Sequence, residues 1–382
     1  VMNKQKIITL FLWVSRILFG VVFIFSGFVK AVDPLGSTYK FQDYFLAFNA
    51  EWLFPLALPL SVLLSALEFI VGASVLMGVK MKYASWGGLL FMLFFTPLTL
   101  YIAIADPVPD CGCFGDALII SNWETFYKNL IILAAIIFIF VHQKSFKPII
   151  SAGKDWLLPI IFTVFILFIS FYSLRNLPIL DFRPWKKGNN IYEQLTPVQE
   201  QIAEYIFVYE NPETGEQKEF SVDELPSDPW VYLDRKEKII QEFIDAPITN
   251  FYIQDEYGDD YTDSYIANPD FQFILVAYDL KRTHKKSFEK KINEFASLAE
   301  VDGLSFIVLT GSTFETMDEF RHEVQASYPF YQSDGTALKT IVRSNPGMLL
   351  LHNGVVVDKW HYSNIPSYPE VKEKYLQKDE TP

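Results

Sequence analysis

Cysteine is nearly absent from this 382-residue chain: there are two, Cys111 and Cys113. So few exclude a disulfide-dense framework and a tetrahedral metal site built from cysteine alone. The five histidines, at positions 142, 284, 322, 352 and 361, fall at no metal-ligand spacing. Also missing are a glycine-rich phosphate loop, a nucleophile elbow and a zinc-binding helix motif. Cations are scarce in the second half, where residues 181–382 carry 20 Lys/Arg against 36 Asp/Glu, a net charge of −16. That surplus argues against nucleic acid, whose phosphates it would repel.

What the chain does have is apolar length. Residues 1–180 carry 12 Lys/Arg against 9 Asp/Glu, a net of +3, spread among runs too long for a soluble core. Ile7–Val29 alone covers the ~30 Å of a hydrocarbon layer. It is too long for a cleaved signal peptide, and no small-x-small site follows it. Leu53–Val79, Trp86–Ile104, Trp123–Val141 and Trp156–Tyr172 are the next candidates, giving five spans. Pro55, Pro59 and Pro97 fall inside them, as packed membrane helices tolerate. Lys4, Lys6, Lys80, Lys82, Lys144, Lys147 and Lys154 cluster at one set of span ends, which the positive-inside rule places in the cytoplasm. The expected topology is then a cytoplasmic N-terminus, with the loop at 105–122 and everything beyond the fifth span outside. Two charges lie deep in the runs, Arg16 and Glu68. Counted at ~1.5 Å per residue from the span ends, their depths agree, so they are expected to face each other as a buried pair.

Both cysteines stand in one short stretch, Asp110-Cys-Gly-Cys-Phe-Gly-Asp116, between the third and fourth spans. A disulfide across one residue closes a small, strained ring, the character of an exchanging bond rather than a staple. Four readings stay open from the residues: thiol–disulfide exchange, a structural or vestigial loop, soft-metal binding such as Cu(I), and pairing with a partner's cysteine. Asp110 and Asp116 oppose thiolate formation, whereas Lys128, about one turn into the fourth span, favours it.

The stretches Arg16-Ile-Leu-Phe-Gly20, Phe25-Ser-Gly-Phe-Val-Lys30 and Asp33-Pro34, with Glu68 and Gly72, resemble the DoxX-like family. The cysteine loop followed by Thr125-Phe-Tyr-Lys128-Asn129 is similar to its MauE-type branch, associated with periplasmic disulfide chemistry. The resemblance covers roughly residues 7–145. It implies a four-helix core related in architecture to the vitamin K epoxide reductase fold, with Cys111 and Cys113 as redox pair and Asp110, Asp116, Lys128 and Asn129 supporting the loop. The usual exchange motif with two residues between the cysteines is absent.

Beyond the fifth span, residues 177–244 read as a membrane-surface linker carrying a hairpin, Glu204–Tyr209 with Gln217–Val222. Ile248–Gln254 and Tyr261–Ile266 are expected to form another hairpin. From Phe271 strands and helices alternate: strands at Phe271–Tyr278, Ser305–Thr310, Met348–Leu351 and Val355–Trp360, helices at Lys286–Ala299, Phe314–Ala326, Thr336–Arg343 and Pro369–Leu376. This order indicates an α/β domain with a mixed sheet. It resembles the thioredoxin fold of TlpA-like periplasmic proteins over about 245–378, with Pro346 at the cis-proline position. The active-site position, Lys281–Lys286, holds no cysteine, so the resemblance implies a fold and a binding surface rather than dithiol catalysis.

The expected architecture is therefore an α-helical membrane bundle followed by a thioredoxin-like α/β domain. It divides into residues 1–145, a fifth transmembrane helix at 146–176, the 177–244 extension, and the 245–382 extracytoplasmic domain. The expected place is the bacterial inner membrane, with lipid and a periplasmic or membrane protein as partners. Two functions compete. One is a component of periplasmic thiol–disulfide redox chemistry; it needs an external dithiol or a quinone, since two cysteines cannot relay electrons to a separate internal pair. No other cofactor is evident. The other is a non-catalytic anchoring subunit of a cell-envelope assembly, docking a partner through aromatics such as Trp185 and Trp230 on the surface.

Overall fold

Long apolar stretches leave the backbone no water to bond with, so each closes its own hydrogen bonds as a helix. The computed structural model describes residues 4–145 and 155–376. Among these are five helices long and apolar enough to cross a membrane: Gln5–Val32, Glu51–Met77, Met81–Ala105, Asn122–Val141 and Leu157–Arg175. They correspond one for one to the five expected spans. We label the helices α1 (Lys4–Val32), α2 (Pro34–Ala47), α3 (Ala57–Met77), α4 (Met81–Ala105), α5 (Asn122–Val141) and α6 (Leu157–Arg175). Lys147 and Lys154, used above for orientation, lie outside the described residues.

The chain divides into two compact units. The first comprises Val1–Arg183 with the segments Val342–Met348 and Trp360–Ser367; the second is the remainder. In the first, α1 and α3 run against each other at very close range. A Cβ on Gly27 would lie 2.5 Å from the Phe69 nitrogen and 2.6 Å from the Ser65 carbonyl oxygen, so only glycine fits there. Small residues at such crossings let membrane helices approach until their backbones touch. Further along, Gly20 lies against Leu76 and Gly72 against Phe23, which fixes the register of the two helices. Phe19, Phe23, Val75, Met92, Ile132 and Ile136 fill the core of the bundle. A second cluster joins Ala66 and Phe69 to Ile166 and Ile169 of α6.

This register corrects the expected ion pair. Glu68 is level with Ser26 and Lys30, and its partner is Lys30, at 2.9 Å. Arg16 is level with the C-terminal turn of α3, where its Nε donates to the Val75 carbonyl (3.1 Å) and its Nη2 to the Leu76 carbonyl (2.7 Å). Depth counted from the apparent span ends failed because α1 begins at Lys4 and α3 runs only over Ala57–Met77. The two ends are also not level: the last turn of α3 lies beside Arg16, twelve residues into α1, so Glu68 falls about eight residues away from it.

The second unit carries the sheets. β1 (Ile202–Glu210), β2 (Gln217–Ser221) and β3 (Val231–Gln241) form a three-stranded sheet in the order β2-β1-β3, both pairings antiparallel. The first two strands match the expected hairpin. β3 was not expected, because Asp-Arg-Lys-Glu-Lys at 234–238 interrupts any apolar alternation. Val355–His361 closes a five-stranded sheet of order β6-β5-β4-β7-β8, with β4 at Phe271–Val276, β5 at Ser305–Thr310, β6 at Phe330–Gln332 and β7 at Gly347–His352. β4, β5 and β6 are parallel, and β7 and β8 turn at Asn353-Gly354, both with positive φ. The expected α/β order is present, with the short β6 in addition.

Two expectations fail in this half. Tyr261–Ile266 is not a hairpin strand: Thr262–Ile266 is helical, and Gln254 and Asp260 share only an isolated bridge. Trp185 is not a surface aromatic; it is 1% exposed and packs edge-on to Phe251 at 5.0 Å. Its apolar area holds the start of the second unit in place.

Candidate functional site

The loop between α4 and α5 is built to hold two thiols still. At its base, the Asn122 side chain donates to Asp106 Oδ1 (2.8 Å) and to the Val108 carbonyl (3.0 Å). Ser121 and Glu124 form a capping box that starts α5 cleanly. Between the cysteines, Gly112 has φ +67°, and a Cβ there would meet Lys40 Cγ at 3.0 Å. Any other residue would be strained and crowded. The two Sγ atoms come within 3.0 Å, and both cysteines are free thiols.

Three sets of contacts fix this loop, all within the first unit. From α1 and α3, the Lys30 ammonium donates to the Cys113 carbonyl (2.7 Å), to Ser26 Oγ (2.7 Å) and to Glu68 Oε2 (2.9 Å). Its three N–H groups therefore meet three acceptors, which is what a buried ammonium needs. Ser26 Oγ lies 2.7 Å from the same carbonyl and 2.9 Å from Glu68 Oε2. From α2, Lys40 pairs with Asp110 at 2.5 Å, and the Tyr44 hydroxyl donates to the Cys111 carbonyl at 2.9 Å. Burial, then the neighbouring Cys111, push that hydroxyl's pKa up, so it stays a donor.

The third set comes from Arg343, whose segment Val342–Met348 belongs to this unit. Its Nε and Nη2 donate to the Asp33 carboxylate at 2.9–3.0 Å, and Nη2 also reaches Asp116 Oδ2 at 3.0 Å. Asp33 in turn caps α2 by accepting from the Gly36 N–H at 2.9 Å. The guanidinium is shared unequally, and the acidities follow. Burial tends to raise Asp33, but Arg343 and Arg183 more than reverse it and hold the carboxyl below its ordinary value. Asp116 has a single contact, so burial prevails and raises it. The Asn345-Pro346 bond in the same segment is cis.

The thiols themselves are unequal. Hydrogen bonding from Cys111, helped by the charges of Lys128 and Lys30, draws the Cys113 pKa down to about 6 against the effect of burial. The same hydrogen bond and burial raise Cys111 well above the ordinary thiol value. The Lys128 ammonium lies 4.2 Å from the Phe114 ring centroid, a cation–π contact. Asp110 and Asp116, expected to oppose a thiolate, are engaged by Lys40 and Arg343. A nucleophilic thiolate beside a protonated thiol is the arrangement that starts exchange.

Of the residues singled out in the sequence, Cys111, Cys113, Asp110, Asp116, Lys128, Asn129 and Glu68 converge on this end of the bundle. Asn129 is buried and donates to Thr99 Oγ1 at 3.2 Å. Arg16 lies elsewhere, at the C-terminal end of α3. Sequence reasoning missed Ser26, Lys30, Lys40, Tyr44 and Arg343. Two of these omissions had a signal, since Ser26/Lys30 and Lys40/Tyr44 are spaced by four and share a helix face. Arg343 had none. Among the described residues no group of three or more His, Cys, Asp or Glu could hold a metal ion. The Lys281–Lys286 cluster is partly spent on ion pairs, Lys285 with Glu323 at 2.7 Å and Arg282 with Asp279 at 3.6 Å.

Residues 8–142 match the family model for methylamine utilisation protein MauE. The MauE-type region thus takes in α1 to α5 and the whole cysteine loop. Residues 203–242 match a second model, described as a domain of unknown function (DUF8463), which coincides with the three-stranded sheet. Neither a curated protein nor a solved structure matches the chain.

Proposed function

We propose that this membrane protein takes part in thiol–disulfide redox chemistry through Cys111 and Cys113, on the extracytoplasmic side of a bacterial inner membrane. The observation that carries the reading is the pair itself: two free thiols 3.0 Å apart, one acidified and one not, in a loop fixed by its backbone. Cys113 attacks a partner disulfide, Cys111 resolves the mixed disulfide, and the partner leaves as a dithiol while this chain holds the new S–S bond; in the reverse direction a partner dithiol reduces that bond, restores both thiols and leaves as a disulfide. The family match supports a setting in the membrane, and the name of that family ties it to methylamine utilisation. The α/β half, which holds no cysteine, serves in this reading as a thioredoxin-like module that binds the partner without reacting.

The test is thiol trapping of the full chain in membranes, poised at a series of dithiothreitol ratios. Two thiols that appear and disappear together support the reading, with Cys113→Ser giving a trapped mixed disulfide at most slowly. Cysteines that stay in one state across the whole range would end it.

A scaffold role is favoured by one separate observation. β3 is exposed along nearly its whole length, with Leu233, Ile239 and Ile240 at the surface, and a small sheet bare on its faces is poorly stable alone. Co-purification of a stoichiometric partner that protects residues 231–241 from proteolysis, with activity intact in a cysteine-free variant, would make this the better description.

A further inference from the structure

β3 is a long edge strand whose side chains stand in the open. Every residue from Val231 to Ile240 is exposed. Among the described residues it pairs only with β1, so its other edge leaves backbone N–H and C=O groups without a ladder. Between Asp234 and Ile239 the pairing with β1 runs without interruption, and the charges Asp234-Arg-Lys-Glu-Lys238 fall in that regular stretch. Apolar residues flank them at the surface, Tyr232 and Leu233 on one side, Ile239 and Ile240 on the other. The order apolar, charged, apolar reads alike from either end, as an antiparallel pair of identical strands requires.

We propose that β3 is the interface to a second copy of this chain. The two strands pair antiparallel about a two-fold axis at Lys236 and join two three-stranded sheets into one of six. The proposal is independent of the thiol reading. In such strand addition the main chain supplies affinity and the side chains choose the register. Residues directly opposite share a face, so the axis must pass through a residue. An axis through Arg235 sets Arg235 against its own copy and Leu233 against Glu237. One through Glu237 sets Glu237 against its copy and Lys236 against Lys238. At Lys236 the pattern closes: Asp234 of one copy faces Lys238 of the other, Arg235 faces Glu237, and each pair occurs twice. Leu233 then lies beside Ile239, and Tyr232 beside Ile240, so the exposed apolar ends cover each other.

The charges that meet are not spent within the chain. Asp234 accepts from the Arg235 backbone N–H at 2.8 Å and Glu237 from the Gln201 side chain at 3.4 Å, and neither has an ion pair among the described residues. Arg235 rests over the Tyr205 ring at 4.8 Å, and Lys238 reaches Glu204 only at 4.0 Å. Lys236, which meets its like on the axis, is already paired with Glu219 of its own sheet at 2.6 Å. A foreign strand of one charge would meet its like somewhere along Asp234–Lys238, whereas the copy does so only at the axis.

The experiment crosslinks the full chain in membranes, in a Cys111→Ser, Cys113→Ser background where each introduced thiol is the only one. Facing Cα atoms lie roughly 4.5–5.5 Å apart, within disulfide reach. The two copies of residue 234 are offset by four positions, about 13 Å. With copper phenanthroline, Lys236→Cys should therefore give a covalent dimer and Asp234→Cys almost none, while co-expressed Asp234→Cys and Lys238→Cys chains should crosslink to each other. Equal dimer at 234 and 236, no dimer at 236, or a crosslink only to a foreign protein overturns the proposal. Light scattering of the chain across a dilution series in detergent, its native cysteines kept, tests the charges and decides if the cysteine variants fail to assemble. The native chain should have the mass of two. Arg235→Glu should weaken association about tenfold or more, since two like pairs replace two opposite ones, and adding Glu237→Arg should restore it. A native chain with the mass of one, a single variant that dissociates no more readily, or a double variant that does not recover overturns the pairing.

Discussion

Arg16 and Lys30 are cations of the same helix, both buried, and both satisfied by oxygen, yet they are held in different ways. Arg16 meets backbone carbonyls at the C-terminal end of α3, which every helix leaves open, and the negative end of that helix dipole adds to the attraction. Lys30 meets a carboxylate, a hydroxyl and the carbonyl of Cys113. The first arrangement finishes a helix. The second ties two helices to the loop that carries both thiols. What a buried charge does is set by the acceptors that the helix register brings to its level, and the side chain itself decides little.

The largest expected effect breaks the second arrangement. Lys30→Met leaves Glu68 buried without its counter-charge, a defect of about 3–5 kcal/mol; thermal unfolding in detergent should show a large loss, mostly recovered by adding Glu68→Leu. No loss in the single variant would mean that water already reaches the carboxylate. Next comes Arg343→Ala, which strands Asp33 and Asp116 at a cost of about 2–3 kcal/mol. Limited proteolysis should then open the 106–121 loop, and Arg343→Lys should rescue only part, because a lysine cannot bond bidentately. Arg16→Gln should cost only about 1 kcal/mol and leave thiol reactivity unchanged, which sharpens the contrast with Lys30. The smallest effect is on acidity. Alkylation of Cys113 should rise with pH to half its maximum near the thiol pKa of about 6, as thiolate forms. Lys128→Gln should move that midpoint upward by less than about one unit. A midpoint that stays put would remove Lys128 from the site.

Length and hydrophobicity were enough to read five spans, since an uninterrupted apolar run has one good solution in lipid. The alternation of Phe271–His361 was equally readable, because buried parallel strands are plain apolar runs between helical patterns. The cysteine loop stood out by rarity, and Lys128 by its place in the second turn of α5. What stayed hidden was register. Nothing in a single sequence says that Gly27 meets Phe69, so Glu68 was given to Arg16 instead of to Lys30. Contacts across long separations were equally illegible: Asp33 and Arg343 stand 310 residues apart. β3 escaped because its ladder is made by the backbone, whatever side chains 234–238 carry.

The cysteine loop hangs from its main chain: Lys30 and Ser26 hold the Cys113 carbonyl, and Tyr44 holds that of Cys111. Neither sulfur belongs to the suspension. Lineages could therefore shed or regain the thiols by point mutation while the mount survived, which makes reactivity here a replaceable fitting on a durable frame.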